Sequence, residues 1–231
     1  MKRVLITAFA AVMFISCNTE DYNQTYDPES YNAIDIGLSV KWADKNLGAA
    51  RPDLGGNFFA WGETEAKPDN MFMWSGYKWS NGDENNLTKY CNYRLYGTVD
   101  GKTELETADD VAHKRLGGKW RLPTRSEIDE LIYTKKYSSD YKWEEKGNGW
   151  LITYLVNGNS IFIPDTGCRI ATHIEGEEAW TITSIGSFYW SSTLSWEQPS
   201  YAWCFCIIDG SVLSDVYFRC YGFQVRPVYE D

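Results

Sequence analysis

Histidine is scarce in this sequence of 231 residues, which contains only His113 and His173. Metal centres and nucleophile–histidine pairs need several such groups in fixed positions. The loose run of Glu175, Glu177 and Glu178 after His173 is more typical of a solvated acidic loop than of a metal site. The chain also lacks a Gly-x-Ser-x-Gly elbow and a phosphate-binding glycine loop. We therefore predict no catalytic residue, no metal and no cofactor, and expect that the protein is not an enzyme.

Positive charge is also scarce. The sequence has 22 Lys and Arg but 32 Asp and Glu, for a net charge of −10. Such a surface repels phosphate backbones, which excludes nucleic acid as a favoured partner. Hydrophobic residues at 43% and aromatic residues at 16% supply enough apolar surface for a folded core. No stretch has the composition of a linker between two cores, which favours one domain.

The apolar run from Val4 to Ile15 is too short to cross a bilayer and follows Lys2 and Arg3. This pattern predicts a signal peptide over 1–16. The run ends in Phe14-Ile15-Ser16-Cys17, which resembles a bacterial lipobox, and the resemblance implies acylation of Cys17. The polar segment 17–33 is predicted to be a flexible tether. We expect an outer-membrane lipoprotein exposed at the cell surface, with the periplasmic face as the alternative.

The most tightly specified local structure is a helix beginning after Thr124. Thr124 is a good N-cap, and Glu127 three residues later completes a capping box. Ile128, Leu131 and Ile132 then recur at helical spacing, so one face of the helix is apolar and must be buried. Taken alone, these residues predict a well-capped scaffold helix.

The same stretch resembles a known signature. Trp120-Arg121-Leu122-Pro123-Thr124 followed by Glu127 is similar to the R-L-P-T-x-x-E pattern of formylglycine-generating-enzyme-like and other bacterial C-type-lectin-like domains. Five further segments resemble the Fibrobacter succinogenes major paralogous domain family: 35–43, 59–65, 157–164, 189–192 and 222–228. The resemblance implies an α+β, C-type-lectin-like fold over 34–231, with two short helices, small antiparallel sheets and paired N- and C-terminal strands.

Periodicity places further elements along the chain. Ile36, Leu38, Val40 and Trp42 alternate with polar or small residues, which predicts a first strand. Thr107 and Asp110 predict the start of another helix, which Gly117-Gly118 ends. The segment Asp165–Gly186 has no clear period and is expected to be a long loop. Strands are predicted at Tyr141–Lys146, Trp150–Val156, Ser160–Pro164, Phe188–Ser192, Tyr201–Ile208, Val212–Cys220 and Phe223–Tyr229.

A two-residue turn at Asp209-Gly210 sets the register of the late strands by pairing Ile208 with Ser211. One face then carries Trp203, Phe205 and Ile207 and is predicted to be core. The opposite face carries Cys204, Cys206 and the alternate residues of the following strand, and is predicted to be exposed or ligand-contacting. Cys204 and Cys206 lie too far apart on one strand to bridge, and Cys220 faces away, so no disulfide is expected among these three.

Enzymes on the formylglycine-generating scaffold hold copper through a pair of cysteines, and Cys204-x-Cys206 does not have the spacing of that pair. The favoured hypothesis is therefore a lipid-anchored binding protein that recognises a glycan or a surface protein. A structural subunit of a surface or fimbria-like assembly is the alternative, and an enzyme is less favoured. Aromatic and charged residues of the C-terminal half are the predicted ligand contacts, with packing in an aromatic core as the alternative for each: Trp190, Trp196, Asp215, Tyr217, Arg219 and Tyr221.

Overall fold

The computed structural model describes residues 26–174, 177–183 and 186–230, and side chains within those ranges except 172–185. The predicted signal peptide over 1–16 and Cys17 lie outside the described residues. Within the described part, the fold is α+β, with two α-helices and small antiparallel sheets. The helices are α1 (Val111–Leu116) and α2 (Arg125–Tyr137). The strands are β1 (Ala33–Ile34), β2 (Lys41–Ala43), β3 (Trp120–Arg121), β4 (Tyr141–Glu145), β5 (Gly149–Tyr154), β6 (Ser160–Pro164), β7 (Cys168–Ile174), β8 (Glu177–Thr183), β9 (Ser187–Leu194), β10 (Tyr201–Ile208), β11 (Ser211–Phe218) and β12 (Val228–Tyr229).

The first and last strands meet in one sheet of order β1-β2-β12-β3, where Val228 pairs with Trp42. The predicted pairing of the N-terminal and C-terminal strands is therefore confirmed. The strands are shorter than predicted, because the backbone bends between Ile34 and Lys41. Ile36 and Trp42 are nevertheless buried, so the alternation correctly identified buried side chains without requiring a continuous strand.

The packed body begins before the predicted boundary at Ile34. The Tyr26 hydroxyl accepts a hydrogen bond from Asn57 Nδ2 at 2.8 Å, and Tyr31 is buried against the Trp120 ring. The prediction that the tether extends to residue 33 is therefore wrong. The segment is polar in sequence, but its tyrosines supply enough apolar surface to dock on the core.

Helix α2 starts as predicted, with a complete capping box between Thr124 and Glu127. Its buried residues include Ile128 and Leu131. Helix α1 begins later than predicted, because Asp110 is its N-cap and residues 107–109 form a short 3-10 turn. The Asp110 carboxylate accepts the His113 and Leu122 amides at 3.0 and 2.8 Å, and this contact fixes β3 beside the helix.

The three strands predicted between Tyr141 and Pro164 are present and form a sheet of order β4-β5-β6, and the connection between β5 and β6 contains Asn157-Gly158. The segment Asp165–Gly186 is not one long loop, because β7 and β8 pair as a hairpin within it. The region of His173, Glu177 and Glu178 lies on this hairpin, outside the described side chains, and Glu175 lies outside the described residues.

The late strands form a sheet of order β11-β10-β9. Ile208 pairs with Ser211 across Asp209-Gly210, and both turn residues have positive φ, as a type I′ turn requires. The predicted register is confirmed. The prediction of one exposed face is wrong, because Phe205 and Ile207 lie in one core cluster while Cys204 and Cys206 lie, fully buried, in another. Helix α2 covers the first face, and the chain around Phe223 covers the second.

Candidate functional site

Two loops, one from each half of the chain, carry exposed aromatic residues that lie outside helices and sheets. In the first loop, residues 88–101, the Asp100 carboxylate accepts the amides of Tyr90 and Cys91 at 2.9 and 3.0 Å. The Asp100 amide in turn donates to the Cys91 carbonyl at 2.9 Å. These bonds close the base of the loop, so its tip projects from a fixed frame.

The second loop, residues 195–200, connects β9 to β10. It is closed by hydrogen bonds from the Ser195 amide to the Tyr201 carbonyl at 3.0 Å and from the Tyr201 amide to the Gln198 carbonyl at 2.9 Å. The Asn92 amide group donates to the Trp196 carbonyl at 2.7 Å, which joins this loop to the first one. The two loops are therefore adjacent at Asn92 and Trp196.

Large apolar side chains of both loops face solvent at this junction. Trp196 is 72% exposed, Leu95 is 71% exposed and Tyr93 is 53% exposed. The Tyr93 ring lies 6.2 Å from that of Tyr96, centroid to centroid. We call Tyr93, Leu95, Tyr96 and Trp196 the Trp196 surface. Clustered apolar groups on a fixed backbone are typical of binding surfaces, because little conformational entropy is lost when a ligand orders them.

Arg219 lies beneath this surface and is fully buried. Its guanidinium donates to the Pro199 carbonyl of the second loop at 2.8 Å. It also donates to the Tyr90 and Lys89 carbonyls of the first loop, at 2.8 and 3.0 Å. A further bond reaches the Tyr77 hydroxyl at 2.9 Å. Arg219 was predicted to contact ligand, and that prediction is wrong; it holds together the loops that carry the exposed aromatics.

Trp190 is also buried, contrary to its prediction as a ligand contact. Its ring stacks on Phe223 at a centroid distance of 4.2 Å, and its indole nitrogen donates to the Phe59 carbonyl at 2.8 Å. The face that carries Trp190 is covered by the chain segment that follows β11. The alternation of side chains along a strand predicts which residues share a face. Whether that face is buried depends on residues far away in the sequence.

The other predicted contacts on the late strands are half-buried. Asp215 accepts the Val216 amide at 2.8 Å, and the rings of Tyr217 and Tyr221 pack near Phe223. Burial raises the pKa of Tyr221 to about 12. Of the six predicted residues, Trp196 is the one that projects fully into solvent.

The cysteines near these strands are inert by environment. Cys204 and Cys206 are fully buried, and neither they nor Cys220 form a disulfide, as predicted. Burial raises the pKa of the Cys204 thiol, and a hydrogen bond with Cys206 raises it further. A protonated thiol is a poor nucleophile and a poor metal ligand. Within the described ranges, no group of three or more His, Cys, Asp and Glu is arranged to hold a metal ion.

A cleft of about 440 Å³ lies beside α1 and β3. Three of the charged residues that line it, Asp110, Arg121 and Glu230, are bound to other groups of the protein. Arg121 forms two hydrogen bonds to the Glu127 carboxylate and one to Glu230. The Asp110 carboxylate caps α1 and binds the Leu122 amide. These groups stabilise the fold around the first turns of α1 and α2.

Tyr93, Leu95 and Tyr96 were missed by the sequence analysis. They lie in a loop with no period, so nothing in their spacing indicates a surface. The signal that was present is the run Tyr93-Arg94-Leu95-Tyr96, which places three large apolar residues in a segment with no strand or helix pattern. Such residues in a loop need either a core to pack on or a partner to bind.

Comparison with protein-family models, with curated proteins and with solved structures gave no significant match to this chain. The helices of the described residues are all too short or too polar to cross a membrane.

Proposed function

We propose that this protein is a lipid-anchored binding protein of the cell envelope that recognises a glycan or a surface protein through the Trp196 surface. The observation that carries the proposal is the exposure of Trp196 and Leu95 on loops fixed by the buried Arg219. Exposed aromatic rings stack on sugar rings and also give large contact area in protein interfaces. Polar groups flank them, including the exposed Arg94 and Glu197.

The geometry is suited to binding because hydrogen bonds from the buried Arg219 fix the loop backbones while the aromatic side chains of the loops face solvent. Burial raises the pKa of the Tyr201 hydroxyl, and the Glu84 carboxylate and Tyr96 raise it further. Tyr201 lies close to the rim of the surface. A surface-assembly subunit remains the second candidate, because Leu95 is aliphatic and highly exposed, as expected of a protein contact.

The fold and location form part of the same proposal. The C-type-lectin-like fold is supported by the pairing of β2 with β12 and by the capping box of the R-L-P-T-x-x-E pattern. Location at the outer membrane is supported by the sequence over 1–17, with acylation at Cys17. Attachment to the membrane would then be through lipid alone, with the domain free to reach its ligand.

Replacing Trp196 with alanine is expected to weaken ligand binding about 30-fold or more, because an exposed tryptophan at the centre of a binding surface contributes about 2 kcal/mol or more. Ligands would first be sought with a glycan array and with pull-downs from envelope proteins. The affinity of the bound species for the wild type and for Trp196→Ala would then be compared by calorimetry. Tyr93→Ala is expected to reduce affinity in the same way.

Tyr133→Ala is the matched control, since Tyr133 is an aromatic residue of α2 with 60% exposure and lies outside the Trp196 surface. Its affinity should equal that of the wild type. Equal losses for Trp196→Ala and Tyr133→Ala would indicate nonspecific adhesion, and unchanged binding in Trp196→Ala would place the ligand elsewhere.

Replacing Cys17 with serine is expected to release the protein from the membrane fraction, because serine cannot form the thioether that carries the diacyl group. The measurement is membrane fractionation of cells labelled with a radioactive fatty acid. Wild-type protein should be labelled and membrane-bound. A Cys17→Ser chain that stayed membrane-bound would show that another feature attaches it.

A further inference from the structure

The cleft beside α1 and β3 is lined by further groups that the fold does not use. Its volume of about 440 Å³ is typical of small-molecule sites, which occupy about 300 to 1,000 Å³. Lys119 is an exposed residue of its lining, and His113 is a half-buried one. Among the described residues, neither side chain forms an ion pair. Two hydrogen-bond donors suited to an anion therefore line the same cleft.

Two acidic residues of the cleft are compensated within the protein. The Asp110 carboxylate is buried, and its oxygens accept the His113 and Leu122 amides at 3.0 and 2.8 Å. The Glu230 carboxylate is paired with Arg121 at 2.7 Å. Hydrogen bonds of this kind offset the negative charge of both carboxylates. An anion at the two free donors therefore meets little repulsion from them.

The rest of the lining suits a sugar ring. Glu104 accepts the Ser192 hydroxyl at 2.8 Å through one oxygen, and its other oxygen has no partner within the part of the chain that the structure describes. Thr107 supplies a hydroxyl, and Leu105 and Trp120 supply apolar surface. A sugar offers hydroxyl groups to such acceptors and its C–H groups to such an apolar wall.

The cleft adjoins the Trp196 surface through two antiparallel chain segments. The Leu105 amide donates to the Ser192 carbonyl at 3.0 Å, and the Leu194 amide donates to the Thr103 carbonyl at 2.8 Å. The cleft lies at the Leu105 end of this pairing, and the chains continue from the other end into the two loops. Trp196 follows Ser192 by four residues, so their Cα atoms lie within about 14 Å of each other. A short oligosaccharide can reach both places.

We propose that this cleft binds an acidic sugar of a glycan whose neighbouring sugar stacks on Trp196. The role of the cleft rests on the glycan-binding function proposed above, and it restricts the ligand to oligosaccharides that contain a carboxylated sugar. The sugar carboxylate accepts hydrogen bonds from the Lys119 ammonium and the His113 imidazole, while Glu104 accepts one from a sugar hydroxyl. A neutral sugar leaves the cationic side without a partner, which gives selectivity.

The cleft is tested with glucuronic acid, for which glucose is the matched neutral sugar. Each is titrated into the full chain carrying Cys17→Ser, and binding is followed by the NMR signals of the His113 imidazole. Glucuronic acid should shift these signals and bind at least about tenfold more tightly than glucose, because hydrogen bonds to a charged group are stronger than neutral ones. Lys119→Met should lower the affinity for glucuronic acid about tenfold and leave that for glucose unchanged.

Lys114→Met is the matched control, because Lys114 is an exposed lysine of α1 outside the lining of the cleft. Its affinity for glucuronic acid should equal that of the wild type. Equal binding of glucuronic acid and glucose, or equal losses in Lys119→Met and Lys114→Met, would overturn the proposal.

An oligosaccharide of alternating glucuronic acid and N-acetylglucosamine tests the connection to the Trp196 surface. It should bind more tightly than glucuronic acid, and Trp196→Ala should remove that gain without changing the affinity for the monosaccharide. An oligosaccharide that binds no more tightly than glucuronic acid would overturn the connection. Binding that depends on Trp196 and is insensitive to Lys119→Met would overturn the role of the cleft and leave the proposed function standing. Binding that depends on Lys119 alone would do the reverse.

Discussion

Replacing Arg219 with methionine is expected to lower the free energy of unfolding by about 3 to 5 kcal/mol, because it strands several buried hydrogen-bond acceptors at once. The carbonyls of Lys89, Tyr90 and Pro199, which are buried or partly buried, would all lose the guanidinium as donor. The measurement is urea unfolding followed by tryptophan fluorescence. Affinity at the Trp196 surface should fall as well, since the two loops lose the group that joins them.

Arg94→Met is the control for this experiment, because Arg94 is exposed on the first loop. Its effect on stability should stay within about 0.5 kcal/mol. Arg219→Lys keeps the charge but has fewer donors in a different geometry, so an intermediate loss is expected. If Arg219→Met unfolded at the same urea concentration as the wild type, Arg219 could not be what holds the loops.

Replacing Glu127 with alanine is expected to cost about 2 to 3 kcal/mol of stability, because one carboxylate serves both the helix cap and Arg121. Glu127 accepts the Thr124 amide at 2.8 Å and the Arg121 guanidinium at 2.8 and 2.6 Å. Truncation leaves the partly buried Arg121 guanidinium with two partners, the exposed Glu230 carboxylate and the Leu122 carbonyl. The measurement is thermal unfolding of the wild type and of Glu127→Ala, from which the loss of stability is obtained.

The pH dependence of stability distinguishes Glu127 from a neutral structural group. Burial by itself would raise the pKa of Glu127, but hydrogen bonds from Arg121 and Thr124 outweigh it, so the pKa is lowered. A lowered folded pKa means that the contribution is complete above the unfolded pKa of about 4.3 and is lost as pH falls through the folded value. The difference in the free energy of unfolding between the wild type and Glu127→Ala should therefore become smaller as the pH falls.

Glu230→Gln serves as the control, because Glu230 also contacts Arg121 but its side chain is 57% exposed. A surface pair of this kind contributes little, so its loss should be within about 1 kcal/mol. Equal losses for the two variants would mean that charge near Arg121 matters and that the capping geometry does not.

Short-range chemistry allowed the sequence to determine several parts of the fold. The capping box of α2 needs only Thr124 and Glu127, and the type I′ turn needs only Asp209 and Gly210. Because such turns admit one pairing of their flanking residues, the register of β10 and β11 followed from the sequence as well. The absence of a bridge among Cys204, Cys206 and Cys220 followed from that register.

Only the tertiary structure decided which side chains are exposed. Arginine is usually found at the surface. Arg219 is nevertheless buried, because carbonyls from two distant loops accept hydrogen bonds from its guanidinium. The loops that carry Tyr93 and Trp196 are about a hundred residues apart in sequence and are joined by a hydrogen bond from Asn92 to the Trp196 carbonyl. Periodicity describes an element's own faces, whereas burial depends on what the rest of the chain places against them, and that information is non-local.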